Sequence, residues 1–170
     1  LGHEITGDIV ESRSPKHPVG ERVFVSHHVP CYECKHCREG HHTACETLHT
    51  GNFDPGGYSE FVRVPKINVE RGTYVLPENM SYEEGTLIEP LACVARGQRV
   101  IDVKKGQTVL VLGSGVSGLM NVRIAKLKGA RVIVTDMDGS RLKKAEAYGA
   151  DEVYNPAELP SLKADKVILC

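Results

Sequence analysis

The chain has 170 residues, 41% hydrophobic and 25% charged, with a formal net charge of −1. That ordinary globular composition excludes a disordered tail, a collagen-like chain and a coiled coil, and the near-zero charge leaves no basic footprint for nucleic acid or acidic membranes. No run approaches the ~20 apolar residues of a membrane helix, and a start at Leu1-Gly2-His3 without signal-peptide pattern, with an end at Cys170 on an apolar run, is what an internal piece of a longer protein would show.

In chain order, the first part is rich in Gly, Pro and His, and all eight histidines lie at or before His49. Ile5 to Val10 and Arg22 to Ser26 read as strands on either side of a turn-rich stretch around Ser14-Pro15 and Pro18-Val19-Gly20. Residues 27–57 carry almost no periodicity, Pro55-Gly56-Gly57 closes this loop, and Tyr58 to Val64 alternates like a strand. The character changes near residue 78. Ser81 followed by Glu84 is a capping box, and Leu87, Leu91, Val94 and Ala95 at helical spacing predict one helix from about Tyr82 to about Val100. Thr108 to Leu112 suits a parallel strand buried on both faces. A helix to about Lys128, a strand over Arg131 to Thr135, a helix over Ser140 to Tyr148, and strands at Glu152 to Tyr154 and Lys166 to Cys170 follow. This alternation predicts an α/β chain: a β-rich lobe over 1–80, then a doubly wound parallel sheet over 81–170.

Four of the six cysteines, Cys31, Cys34, Cys37 and Cys45, fall in the spacing C-x2-C-x2-C-x7-C. Tight clustering without a secretory signal reads as a metal site in a reducing compartment, here the cytoplasm, rather than a disulfide framework. Four thiolates around zinc leave no open position, so a zinc here would be structural and would staple the lobe 27–57. An iron–sulfur cluster is the rival, since C-x2-C-x2-C also opens ferredoxin-type runs, but the usual C-x3-C-P closure is missing. The histidines inside the lobe read as solvated. His27 and His28, just before Cys31, read as strand-end structure, with packing near the cleft as the alternative.

Gly113-Ser114-Gly115-Val116-Ser117-Gly118 is G-x-G-x-x-G. It follows a strand and opens a helix, the context that makes the motif informative. Gly113 allows the tight turn, Gly115 lets a pyrophosphate approach, and Gly118 lets helix and strand pack closely. Backbone N–H groups near Val116 and Ser117 would face the phosphates. Asp136, at the end of the next strand, should accept the adenosine ribose hydroxyls and repel a 2′-phosphate, which favours NAD over NADP. Arg141 falls in the next helix, against the adenine end or simply solvated.

Gly2-His3-Glu4, the four-cysteine lobe, Val19-Gly20-Glu21-Arg22-Val23 and the G-x-G-x-x-G together resemble the medium-chain, zinc-dependent alcohol/polyol dehydrogenase family. Ile88-Glu89-Pro90-Leu91 is similar to the E-P-L segment of its sorbitol and threonine dehydrogenase branch. The resemblance implies a partial GroES-like catalytic domain followed by a partial Rossmann domain. It also implies a second, catalytic zinc held by His3, Glu4 and Glu89, Glu4 as a ligand or close neighbour. A ligating Cys and a proton-relay hydroxyl would come from a segment upstream of Gly2; Cys93, read as a buried structural thiol, is no obvious substitute. The implied activity is NAD-dependent oxidation of a small alcohol, a polyol or amino alcohol, by a homo-oligomer, dimer or tetramer, while the 170 residues alone are expected to be inactive. A non-catalytic NAD-binding protein of the same fold and a zinc-ribbon interaction module are the alternatives.

Overall fold

The structure, a computed structural model, describes residues 2–170. β1 (Glu4–Asp8) and β2 (Arg22–Ser26) pair antiparallel, with Glu4 opposite Ser26 and Asp8 opposite Arg22, and β2 also pairs with β3 (Thr73–Val75). Val23 and Val25 of β2 pack with Phe53 into a small core that Ile5, Ile9, Val62 and Val64 extend. Between β2 and β3 lie α1 (Lys35–Arg38), a 3-10 turn (His42–Ala44), α2 (Glu46–Thr50) and α3 (Lys66–Arg71). None of these reaches two full turns, so the segment has little regular structure with which to hold itself.

Two sequence expectations give way in this half. Tyr58 to Val64 forms no strand; its only ladder contact is the Asp54–Arg63 bridge. Val62 and Val64 do turn toward the core. Among the described residues no neighbouring strand accepts the remaining backbone groups, and alternation alone does not make a strand. The second case is the single helix expected over 82–100, which is two. α4 (Tyr82–Thr86) carries the expected capping box, with Ser81 Oγ accepting from Glu84 N–H and the Glu84 carboxylate accepting from Ser81 N–H, and it ends at Leu87. α5 (Ile88–Val100) begins afresh. Pro90 has no N–H to give to the carbonyl of Thr86, so an unbroken helix would lose a bond there, whereas in the first turn of a new helix the loss is free.

The chain divides into two compact units, Leu1–Glu89 and Pro90–Cys170. α4 stays with the first unit because it is fastened to β1: the Tyr82 hydroxyl donates to Asp8, and Thr6 Oγ1 donates to the Tyr82 carbonyl.

In the second unit, β4 (Thr108–Leu112), α6 (Val116–Leu127), β5 (Arg131–Thr135), α7 (Gly139–Ala147), β6 (Glu152–Tyr154) and β7 (Lys166–Leu169) follow in sequence. The four strands are all parallel, in the order β6-β5-β4-β7. The order reverses between β4 and β7, and such a switch point opens a crevice at the carboxyl ends of the strands. Val109, Val111, Val132 and Val134 are fully buried with Val122 and Ala125 of α6 and Ala145 of α7. Each buried valine contributes roughly 1.5–3 kcal/mol, which explains the apolar runs Val109–Leu112 and Val132–Val134 within these two short strands. Asp151 ties the edge, accepting from Val132 N–H and from Lys126 Nζ.

Candidate metal and dinucleotide sites

Cys31 and Cys34 precede α1, Cys37 lies within it, and Cys45 caps α2. Their four Sγ atoms lie within 4.8 Å of one another, and Cys31 Sγ and Cys37 Sγ are 3.9 Å apart. A tetrahedron of thiolates at ~2.3 Å from zinc has edges of about 3.8 Å. The spacing therefore fits one ion, excludes the ~2.05 Å of a disulfide, and leaves no room for a multi-iron core between the sulfurs. The backbone prepares the thiolates. Glu33 and Cys34 N–H donate to Cys31 Sγ, and Cys31 N–H donates to Cys45 Sγ at 3.3 Å. These bonds hold the Cys31 thiol below its ordinary value and bring Cys45 down to about 6, while burial pushes Cys37 up to about 12. Cys37 and Cys45 are buried and Cys31 and Cys34 half-buried, and cysteine holds a metal as the thiolate. Tyr32 takes the left-handed backbone that bends the chain between the first two ligands (φ 63°), and Arg71 braces the turn by donating to the Cys31 carbonyl.

The second cluster gathers His3, before β1, His28, after β2, and Glu89, in the first turn of α5. Donor atoms of all three lie within 4.8 Å of one another, with His3 Nε2 3.9 Å from Glu89 Oε2. The antiparallel register explains why the two histidines meet: Glu4 faces Ser26, so the residues just outside that pair share one end of the ladder. The break at Leu87 starts α5 where Glu89 joins them. His3 and Glu89 are thus brought together, and Glu4 is not: it is an exposed strand residue outside the converging group. Successive residues of a strand point to opposite faces, so His3 and Glu4 diverge. Cys93 is also outside the group, and it is exposed rather than buried. α5 buries only Val94 and Gln98, and Cys93 is turned about 100° from Val94 around the helix. His28 is the residue that the sequence reading missed. Beside it, His27 packs edge-on against Phe53 and is held more acidic than usual by burial and by the neighbouring His28 and His3.

In the second unit the glycine-rich turn lies at the switch point. Gly113 has φ +98°, and a Cβ there would stand 2.7 Å from the Cys170 carbonyl oxygen. At Gly118 a Cβ would lie 2.0 Å from the Gly113 carbonyl oxygen, while at Gly115 it would meet nothing within 4 Å. So Gly113 serves the turn, Gly118 the helix–strand contact, and the bare Gly115 leaves open space above the turn. Gly115 caps α6 without a side-chain bond, leaving the N–H groups of Val116 and Ser117 at the helix start. Asp136 stands opposite. Its Oδ2 accepts from the backbone N–H (2.8 Å) and hydroxyl (2.9 Å) of the buried Ser114, and its Oδ1 from Asp138 N–H (2.9 Å). These donors, Asp138 first, hold its pKa below the usual carboxylate range. Arg141 is 4.0 Å from Asp136 and half exposed. Ser114 filled an unspecified position of the motif, so its hold on Asp136 was not legible beforehand.

Residues 1–74 match the alcohol dehydrogenase GroES-like domain, and residues 117–168 match the zinc-binding dehydrogenase family. The chain belongs to the medium-chain, zinc-dependent alcohol dehydrogenases. It is 36% identical to an L-threonine 3-dehydrogenase from Sinorhizobium fredii (93% of this chain, 46% of the relative) and 34% identical to a sorbitol dehydrogenase from Bacillus subtilis (99% and 48%). Among solved structures it resembles an alcohol dehydrogenase from Escherichia coli CFT073 complexed with NADH, with a TM-score of 0.80 at 30% identity over 98% of this chain and 52% of that one. The chain spans about half the length of the curated relatives it matches. The antiparallel sheet of the first unit and the parallel sheet of the second are the partial GroES-like and Rossmann parts expected from the family. No helix among the described residues is long and apolar enough to cross a membrane.

Proposed function

We propose that this chain supplies the metal-binding and dinucleotide-binding parts of a dehydrogenase that uses zinc and NAD and moves a hydride from a secondary alcohol, a polyol or an amino alcohol. The observation that carries the reading is the convergence of His3 and Glu89 at one end of the β1–β2 ladder, apart from the four-thiolate site. The relatives named for L-threonine and sorbitol support the substrate class. Zinc, when bound there, acts as a Lewis acid that lowers the pKa of the alcohol oxygen it contacts by several units. His3 offers an imidazole lone pair, and Glu89, only 17% exposed at its side chain, offers a carboxylate whose charge offsets the cation. Such oxygen and nitrogen donors make a harder site than a thiolate-rich one, which suits substrates with neighbouring hydroxyl or amino groups. Glu4 acts in this reading from outside the donor group. The first N–H groups of α6 receive the pyrophosphate over the open face of Gly115, and the ionised Asp136 accepts a ribose hydroxyl and repels a 2′-phosphate, which selects NAD. Four reduced thiols suit the cytoplasm, and a dimeric or tetrameric assembly follows from the family resemblance alone.

The test measures metal content and thiol reactivity of the whole protein, then turnover with a panel of polyols, threonine and primary alcohols. Two zinc per chain, one of them released as four thiols are modified, with NAD-dependent oxidation of secondary alcohols, is the expected result. A preference for ethanol overturns the substrate class. Dinucleotide binding with no second metal and no turnover favours the non-catalytic alternative.

A further inference from the structure

Ser114 stands at a position of the glycine motif that fixes no residue type, yet it is 1% exposed and directs both its hydroxyl and its N–H at one carboxylate. We propose that Ser114 is a positioning residue for cofactor selection: its hydroxyl holds Asp136 in the orientation that accepts the adenosine ribose and repels a 2′-phosphate. The inference deepens the reading of Asp136 as the ribose acceptor and rests on it.

The β4–β5 ladder ends with Leu112 opposite Thr135, and Gly113 N–H donates to the Thr135 carbonyl. The next donor along that edge, Ser114 N–H, meets the Asp136 carboxylate in place of a carbonyl, at 2.8 Å. β6 pins the Asp136 backbone, whose N–H donates to the Tyr154 carbonyl. What remains free is rotation about the side-chain bonds of Asp136. Asp138 N–H donates to Oδ1, while the Asp138 carboxylate is turned to Ser140 N–H at the start of α7. Two side chains then compete for Oδ2. Ser114 Oγ donates to it at 2.9 Å, and Arg141, half exposed, comes only within 4.0 Å.

An exposed ion pair at that separation is screened and holds no fixed geometry. A hydroxyl bonded to a carboxylate away from water is directional and strengthened by the charge of its acceptor. The Ser114 hydroxyl therefore keeps the carboxylate against the glycine turn rather than drawn toward Arg141, and Oδ1 keeps an acceptor position for a ribose hydroxyl. Without the hydroxyl, Asp136 stays ionised but is divided between the two places. Apparent affinity falls with the fraction of molecules in the competent arrangement, so a carboxylate held about 10–20% of the time binds NADH about five- to tenfold more weakly. NADPH gains nothing from the held carboxylate, and its affinity does not fall.

The experiment titrates NADH and NADPH by fluorescence into the whole protein and into Ser114→Ala, Ser114→Thr, Asp136→Gly and the double variant Ser114→Ala/Asp136→Gly, with thermal unfolding of each. Ser114→Ala should bind NADH about five- to tenfold more weakly with NADPH affinity no lower, while Ser114→Thr, which keeps the hydroxyl, retains the wild-type ratio. In the Asp136→Gly background, removal of the hydroxyl should leave the ratio where Asp136→Gly alone puts it, because the group through which it acts is gone. A serine that only supports the fold would lower Tm and weaken both cofactors alike; that result overturns the inference, as does a change in ratio that persists without Asp136. Should the extra methyl of Ser114→Thr prevent folding at this buried position, Ser114→Ala and the double variant decide. If Asp136→Gly changes the ratio and Ser114→Ala does not, Ser114 is no positioning residue and the reading of Asp136 stands without it. If Asp136→Gly leaves the ratio unchanged, that reading fails and this inference fails with it.

Discussion

Alanine at Gly118 and alanine at Gly115 should separate folding from dinucleotide binding. At Gly118 the added Cβ would lie 2.0 Å from the carbonyl oxygen and 2.9 Å from the carbonyl carbon of Gly113. Both obstacles are backbone atoms of the turn that ends β4, so no side chain can swing aside. The helix must move about 1 Å from the strand end, at the upper part of the ~1–3 kcal/mol that overpacking costs. Helix propensity favours Ala over Gly by about 1 kcal/mol, so the net loss is about 2 kcal/mol. For a protein of this size that lowers Tm by about 4–8 °C. At Gly115 the backbone is extended (φ −66°) and the new methyl meets nothing within 4 Å, so Gly115→Ala should melt with the wild type. Its methyl would nonetheless fill the space through which a pyrophosphate approaches the α6 N–H groups, and NADH affinity should fall at least about tenfold. Thermal unfolding followed by circular dichroism, with NADH fluorescence titration of each variant, reads both effects. A Gly118→Ala protein as stable as the wild type, or a Gly115→Ala protein that binds NADH normally, would refute the assignment of roles within the motif.

Three further outcomes are expected. Cys37→Ser should remove one zinc equivalent and expose the lobe 27–57 to proteolysis while leaving the β4–β7 sheet folded, as mass spectrometry of the metal content and limited digestion would report; retention of both metals contradicts a four-thiolate site. Asp136→Gly should raise the NADP-to-NAD ratio of kcat/KM by at least about tenfold, since it removes the charge facing the 2′ position while Arg141 remains; an unchanged ratio means that Asp136 does not face the ribose. Acid should destabilise the second unit through Asp136, held low by the Asp138 and Ser114 N–H groups, and through Asp151, where burial is the largest single influence and pushes up, but the Lys126 ion pair and Val132 N–H together outweigh it and hold the carboxyl low. Their folded-state pKa values lie below the unfolded one, so their stabilisation is complete above the unfolded value near ~3.9 and is lost as pH falls through the folded values. Stability measured from pH 6 down to 2 should fall below about pH 4, and Asp151→Asn should flatten that fall; an identical slope in wild type and variant refutes the linkage.

The sequence by itself determined whatever depends on neighbours along the chain. The Val-rich runs of β4 and β5 declare strands buried on both faces, because no other short element is apolar all round. Ser81 and Glu84 announce a helix start through bonds that close within one turn. The C-x2-C-x2-C-x7-C spacing marks a metal lobe, because two-residue gaps let neighbouring thiols turn toward one centre. The glycine motif is likewise local, a turn and the helix after it. Tertiary structure decided what depends on residues far apart. Whether Tyr58 to Val64 became a strand depended on a partner for its backbone, and that partner is not supplied over this stretch. Pro90 divided the expected helix, and only the folded chain shows that the division brings Glu89 beside His3 and assigns α4 to the first unit. Strand pairing brought His28 across from the other strand to His3, while Glu4, the next residue along, lies outside that group. Ser114 reached Asp136 over a separation of 22 residues. Spacing reports which side chains can turn toward one another along a single segment. The pairing of strands, a long-range equilibrium of backbone hydrogen bonds and burial, decides which segments lie side by side, and so which donors share an ion.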